Sequence, residues 1–266
     1  MDVAKASAAA LAEIEDHILV VAAGHQMVGQ GEMFQELCMA FHGRAIFFLL
    51  GELDLSHYRW NLERSAHARK FYLRKLREQN AHDTVFTALS RAESVFCAIA
   101  IDNLELAQEL KNLSAQSWMP DGEYEDDYWY YSLVHTVAAG DLTTGLQHFE
   151  NMTTALDGLD DTRLPMCGSL LDNREEDFWP AFSEFVDERH ERAAIEHDDG
   201  RLVGEPWLAA FQHVSVEAIV WLKLAAAQGF QAPEAEYRMC PSVALSLPEG
   251  QRSPDVFHEL EARFGL

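Results

Sequence analysis

Apolar residues recur three and four positions apart along nearly the whole chain. Phe178, Phe182, Phe185, Val186, Arg189 and Ala193 follow at intervals of 4, 3, 1, 3 and 4, the period that stacks side chains on one face of an α-helix. Tyr58, Leu62, Tyr72, Leu73 and Leu76 form another such stripe over residues 54–79. A third runs Trp207, Phe211, Val214, Ala218, Trp221, Leu222 and Ala225, opened by Pro206, which suits a first helical turn, and stopped by Gly229. Only 8 Pro and 15 Gly interrupt 266 residues rich in Ala and Leu, which favours helices over a strand-rich sandwich.

The pattern predicts helices over residues 2–23, 31–50, 54–79, 83–100, 104–116, 122–139 and 142–156. Another is expected to start at Asn173-Arg-Glu-Glu176, read as an N-cap with a capping-box Glu. A short helix is expected over 254–264, and an extended tail from Pro241 to Leu247. Gly29-Gln-Gly31 precedes a helix but follows no strand, so it reads as a turn and not as a dinucleotide loop. Ala100-Ile-Asp102 and Ala139-Gly-Asp141 begin similar stretches at an offset of 39, each resembling the turn of a helical hairpin with Asp opening the second helix. A period near that length suits stacked helix pairs, although the tetratricopeptide consensus is not met. The expectation is an all-α chain of about nine to eleven helices. They would form a single-domain array of antiparallel helical hairpins over residues 1–266, weakly repeat-like.

Charge is segregated. The chain holds 44 acidic and 20 basic residues, a formal net charge of −24. Such a surface repels nucleic acid and anionic membranes and steers basic proteins toward it, or serves only to keep the chain soluble. Seven of the basic residues lie on one helix between Arg59 and Arg77, while residues 121–200 carry 21 acidic and 4 basic residues. No Pro/Gly/Ser-rich linker separates the two regions, so one domain with a polarised surface is expected. Cys38, Cys97, Cys167 and Cys240 stand apart with no C-x-x-C pair, as buried free thiols do in a reducing compartment. The N-terminus does not read as a secretory signal, since Glu13, Glu15 and Asp16 interrupt it. No uninterrupted apolar run approaches the ~18 residues of a membrane span. A cytoplasmic protein is expected.

Catalytic grammar is sparse. Nucleophile-elbow, P-loop, dinucleotide and zinc-protease motifs are missing from the sequence. Asp54-x-x-His57 and Asp187-x-x-His190 each place a carboxylate and an imidazole on one helical face, but as isolated pairs they signal no metal site. No catalytic residue, metal or cofactor is assigned. The most informative stretch is Pro120-Asp-Gly-Glu-Tyr-Glu-Asp-Asp-Tyr-Trp-Tyr-Tyr131, where carboxylates alternate with aromatics. Two readings stand beside each other. In one, Asp121 to Asp127 occupy a helix N-terminus favoured by the macrodipole, and two of Tyr124, Tyr128 and Tyr131 are core. In the other, the stretch is an interface for a basic protein. The candidate partner-binding residues are Asp121, Glu123, Glu125, Asp126, Asp127, Tyr128, Trp129 and Tyr130, with Asp160, Asp161, Glu175 and Glu176 from the rest of the acidic half.

A family resemblance bears on the choice. Phe71-Tyr72 lies on a long helix, Ala98-Ile99-Ala100 precedes Asp102, and Leu104-x-x-Ala107 follows. After the acidic aromatic segment, an Ala-rich helix ends Ala227-Gln228-Gly229-Phe230 ahead of Tyr237 and Pro241. Over roughly residues 55–245 this resembles the immunity protein 49 family of bacterial toxin–antitoxin competition systems. It departs from the family near the end, where Tyr237-Arg-Met-Cys-Pro241 replaces a Leu-Pro close to the last Tyr. The resemblance implies an all-helical cytosolic protein that binds and blocks a cognate toxin effector, for example one delivered by a type VI secretion system. It transfers no catalytic residue. A toxin with a basic cleft, as in a nuclease, would suit the acidic half. A helical-repeat adaptor and an enzyme assembled from dispersed Asp and His residues are the rival classes. The basic helix is the alternative docking face, for an acidic partner or a second copy of the chain.

Overall fold

The computed structural model describes residues 3–22, 27, 29–80, 84–91, 93–198, 210–234, 236–247, 255, 257–259 and 262. Among them the regular structure is all helical, with no strand and one isolated bridge between Tyr237 and Cys240. The helices are α1 (Val3–Ala22), α2 (Gly31–Phe47), α3 (Leu55–Glu78), α4 (Thr84–Thr87), α5 (Ser94–Ala100), α6 (Leu104–Leu113), α7 (Glu125–Ala138), α8 (Leu142–Leu156), α9 (Arg163–Leu171), α10 (Glu175–Asp198) and α11 (Val216–Ala227).

Most consecutive helices pack on one another: α1 on α2, α2 on α3, α5 on α6, α7 on α8, α8 on α9 and α9 on α10. The short α5 is the hub. All seven of its residues are buried, and α3, α6 and α11 close around it. One contiguous apolar cluster runs from Ala10 in α1 to Phe257. Phe178, Phe182 and Phe185 of the α10 stripe are fully enclosed, each worth about 2–3 kcal/mol relative to exposure.

The junctions explain the repeat seen in the sequence. After α5, Asp102 N–H donates to Ile99 O and Asn103 N–H to Ala98 O. After α7, Gly140 N–H donates to Val137 O and Asp141 N–H to Thr136 O. This is the Schellman pattern, with the first residue of each pair in the left-handed region at φ 60° and 77°. The next residue caps the following helix: Asn103 Oδ1 accepts from Leu106 N–H at 3.2 Å, and Asp141 Oδ1 from Thr144 N–H at 3.0 Å. Asn103, not Asp102, is therefore the partner of Asp141, one residue short of the offset read from letters alone.

The same pattern corrects the start of α10. Asn173 stands at φ 56° and, with Arg174, closes α9 onto Leu170 O and Ser169 O. It is a C-terminal stop, and Arg174 takes the position before α10. Two other helices are shorter than expected. The 83–100 stretch divides into α4, a 3-10 turn over Leu89–Arg91, and α5. The Trp207–Ala225 stripe is interrupted by a 3-10 turn at 210–212, after which Ser215 Oγ accepts from Ala218 N–H and caps α11. Pro206 and Trp207 lie outside the described residues, as does most of 254–264. Pro241–Leu247 holds a 3-10 turn at Ser242–Ala244 instead of an extended run.

Gly29 and Gly31 have separate reasons. Gly29 needs φ 81°, whereas Gly31 opens α2 so close to Phe86 that an added Cβ would lie 2.1 Å from its ring. At its other end α2 widens into a π turn over Phe48–Glu52, ending at Leu53, which is left-handed at φ 52° and 70% exposed. Phe48 there stacks on His57 at 4.7 Å, and the Arg44 guanidinium lies 5.2 Å from its ring centre. By length and hydropathy Gly31–Glu52 is sufficient to cross a membrane, although no uninterrupted apolar run in the sequence is; in the fold it is packed between α1 and α3.

The cap at α8 gives a measurable consequence. Asp141→Ala removes the acceptor for Thr144 N–H and is expected to lower the midpoint of chemical denaturation, with unchanged helix content by circular dichroism. No loss would mean that the Schellman turn alone sets this junction.

Candidate functional site

The four basic residues of the acidic half are all arginines, and three of them, Arg163, Arg189 and Arg192, line one cleft of about 920 Å³. Arg163 is its organiser. Placed at the first residue of α9, its guanidinium reaches Asp161 at 2.6 Å and, on α7, both Asp126 and Asp127 at 2.7 Å. Its other face lies 4.7 Å from the centre of the Tyr130 ring. Burial alone would raise the Asp161 carboxyl, but the hydrogen bonds and charge of Arg163 outweigh it and hold that group below the usual carboxylate range.

A second chain of contacts runs through Tyr130. Its hydroxyl donates to Glu217 Oε1 at 2.6 Å and accepts from Trp221 Nε1–H at 2.7 Å. Glu217 Oε2 lies 3.1 Å from Arg189 Nε on α10. Four helices, α7, α9, α10 and α11, thus meet around two half-buried guanidinium groups. The remaining wall comes from α2, α3, the Leu89–Arg91 turn, α5, the 120–124 segment, the stretch 211–215 and Met239. His42 of α2 lies edge-on to Phe211 at 4.7 Å, and burial lowers its pKa to about 4, so it is neutral at physiological pH.

The expected interface residues divide into three groups. Asp121, Glu123, Asp127, Tyr130 and Asp161 line the cleft, and Asp126 joins them through Arg163. Glu123 is half-buried, with Oε2 accepting from Ser90 N–H at 2.8 Å. Exposed Asp160 adjoins Asp161 in the chain. The others sit elsewhere. Glu125 accepts from Trp129 Nε1–H at 3.3 Å, and Trp129 stacks on His148. Tyr128 is buried, its hydroxyl donating to Gln116 O. Glu175 accepts from Trp179 Nε1–H and Gln231 N–H, and Glu176 is exposed beside it at the start of α10.

Tyr128 and Tyr130 are therefore enclosed, and the aromatic that faces solvent is Tyr124, at 78% exposure on the cleft rim. Only Glu125, Asp126 and Asp127 occupy the first turn of α7; Asp121 and Glu123 precede the helix. In the sequence Arg163 and Glu217 read as having no site role, Arg189 only as part of a helical stripe, and Tyr131 only as a candidate core tyrosine. The rarity of basic residues in so acidic a segment was the signal that pointed to the two arginines.

The Asp–His pairs have plain explanations. Asp54 caps α3, accepting from His57 N–H at 2.9 Å, and meets His57 Nδ1 at 2.7 Å. Asp187 turns instead to Arg238. No cluster of three or more His, Cys, Asp or Glu able to hold a metal occurs among the described residues. On the basic helix, Lys70 pairs with Glu109, Arg74 and Lys75 with Glu78, Arg69 donates to Ala88 O and Arg77 to Asn112 O. Much of its charge is thus engaged within the chain. No family model, curated protein or solved structure matches the chain.

Two outcomes follow from this geometry. Arg163→Met leaves three carboxylates facing one another in a partly buried site. It is expected to cost about 2–3 kcal/mol by urea denaturation, less than a fully buried pair because water reaches Asp127. The second concerns pH. Burial depresses His42 to about 4 and, aided by Lys111, His135 to about 3. Both stay neutral when folded while the unfolded chain takes up protons from about pH 6.5 downward. Their contribution is full above about 6.5 and is lost as pH falls through about 4 to about 3. Thermal midpoints should decline across that window, and His135→Gln should flatten the decline; an unchanged slope would assign it to carboxylates alone.

Proposed function

We propose that this protein is a stoichiometric binder of a basic protein, an immunity protein that neutralises a cognate bacterial toxin effector. The observation that carries the reading is the cleft mouth, where unpaired carboxylates accompany apolar groups left in solvent. Asp121 and Tyr124 stand on its rim, and Leu159 and Asp160 directly precede the wall residue Asp161. Tyr124 and Leu159 are 78% and 70% exposed. An exposed aromatic and an exposed leucine beside free negative charge suit a surface that buries them against Lys- and Arg-rich protein. The net charge of −24 adds long-range attraction. The four cysteines are free and buried, which fits action in a reducing cytosol. A toxin whose active site holds phosphates would present the complementary basic cleft.

The test is co-expression with the product of the adjacent reading frame, scored for rescue of growth, followed by association kinetics on the purified pair. Asp126 and Asp127 are unsuitable for charge reversal because they hold Arg163 in place. Asp121→Lys with Asp160→Lys leaves every described ion pair intact. It is expected to slow association several-fold at low salt, with the difference vanishing at high salt. Rescue by the double variant at the wild-type rate across the salt series would move the interface away from this mouth.

A further inference from the structure

The walls of the cleft supply seven carboxylates against five arginines. Most of the arginines are already engaged: Arg163 by three carboxylates, Arg189 by Glu217, the exposed Arg192 by Glu188, and Arg69 by Ala88 O, while Arg91 stands exposed at the rim. An anion reaching Arg163 or Arg189 would have to displace one of those partners. A cation would meet what is left over. Asp121 and Glu123 have no ion-pair partner among the described residues. The Tyr131 hydroxyl, which lines the cleft, has no hydrogen-bond partner among them either. Burial raises the pKa of Tyr131, and the carboxylates of Glu93, Glu217 and Asp127 raise it further against the opposing Arg189. Its ring and that of Phe96, 5.2 Å apart, add aromatic surface of the kind a guanidinium or ammonium packs against.

The unpartnered carboxylate oxygen points the same way. Glu123 Oε1 is shielded from solvent, has no hydrogen bond, and belongs to a residue of this cleft. A shielded carboxylate oxygen with no donor is destabilising, and an arriving N–H group removes that cost. His42 is neutral and does not repel a cation. The volume, about 920 Å³, lies at the upper end of the ~300–1,000 Å³ range of ligand pockets and is more than a bare ion needs.

We propose that the cleft receives a single Lys or Arg side chain carried on a protruding loop of the basic partner, with Glu123 and Tyr131 meeting its cationic head. This rests on the basic-partner reading and makes the cleft the place where affinity is set after the acidic mouth has steered the encounter.

Calorimetry on the full chain at low salt tests it, with acetyl-Gly-Arg-Gly-amide, its Lys counterpart and its Glu counterpart as probes. The expected result is saturable one-to-one binding of the Arg and Lys peptides and none of the Glu peptide. Glu123→Gln should weaken binding about tenfold, and Tyr131→Phe less. Ala193→Phe, which narrows the cleft without changing charge, should weaken it at least tenfold; circular dichroism confirms that each variant is folded. Binding that is absent in the wild type, equal for the Arg and Glu peptides, or unaltered in folded Glu123→Gln and Ala193→Phe overturns the proposal. Spermidine bound more than tenfold tighter than either peptide would reassign the cleft to a free polyamine, which also overturns it. Growth rescue separates this inference from the function it rests on. If Ala193→Phe still neutralises the co-expressed toxin at the wild-type rate, the binder reading stands and the cleft inference falls.

Discussion

Arg163 does for the acidic half what a metal ion does elsewhere: it gathers carboxylates that would otherwise repel one another. Asp126 and Asp127 come from the first turn of α7, and Asp161 from just ahead of α9. One guanidinium therefore sets how the starts of two helices meet. The Tyr130 ring beneath it carries the constraint inward to Glu217, Arg189 and Trp221. A group of this kind is a weak source of net stability, since desolvating the charges offsets much of their attraction. Its contribution is to orientation. Neighbouring helices with apolar faces can slide and rotate at little cost, whereas five donors in a fixed plane accept few arrangements.

That arrangement also explains how a surface so acidic encloses a cleft containing arginines. The half of the chain with the fewest basic residues turns two of its four arginines inward, where each faces at least one carboxylate, and leaves unmatched carboxylates at the mouth. The outside attracts by charge and the inside selects by geometry. In the basic helix α3 the reverse holds: charges that look available in the sequence are largely engaged with Glu78, Glu109 and main-chain carbonyls.

The helices were legible in the sequence because the signals that make them are local. The stripe from Phe178 to Val186, the Asp141 cap and the Gly229 stop each act within two turns. Errors arose where one residue type serves two purposes. Asn is as good at ending a helix left-handed as at starting one, and only the hydrogen bonds onto Leu170 and Ser169 show which Asn173 does. The stripe through Trp207 and Phe211 continued in the letters past a point where Ser215 begins a new helix. The site was legible only in part. Asp121, Glu123, Asp127, Tyr130 and Asp161 were singled out by composition, and they do come together. The groups that bring them together, Arg163, Arg189 and Glu217, act, apart from Arg163 on its neighbour Asp161, across 28 to 87 positions of chain, and no spacing rule reaches that far.

The π turn at Phe48–Glu52 has the form of a single residue taken into a helix without breaking it. Each residue added to or removed from a helix rotates everything beyond it by about 100°. This turn therefore sets the rotational phase between α2 and all that follows, and with it the side of the molecule on which Phe48 meets His57 and Leu53 faces solvent. Natural variants of this chain that gain or lose one residue near Gly51 would keep both helices intact while presenting a different face at this corner. A change of length here would thus alter a surface without disturbing the core.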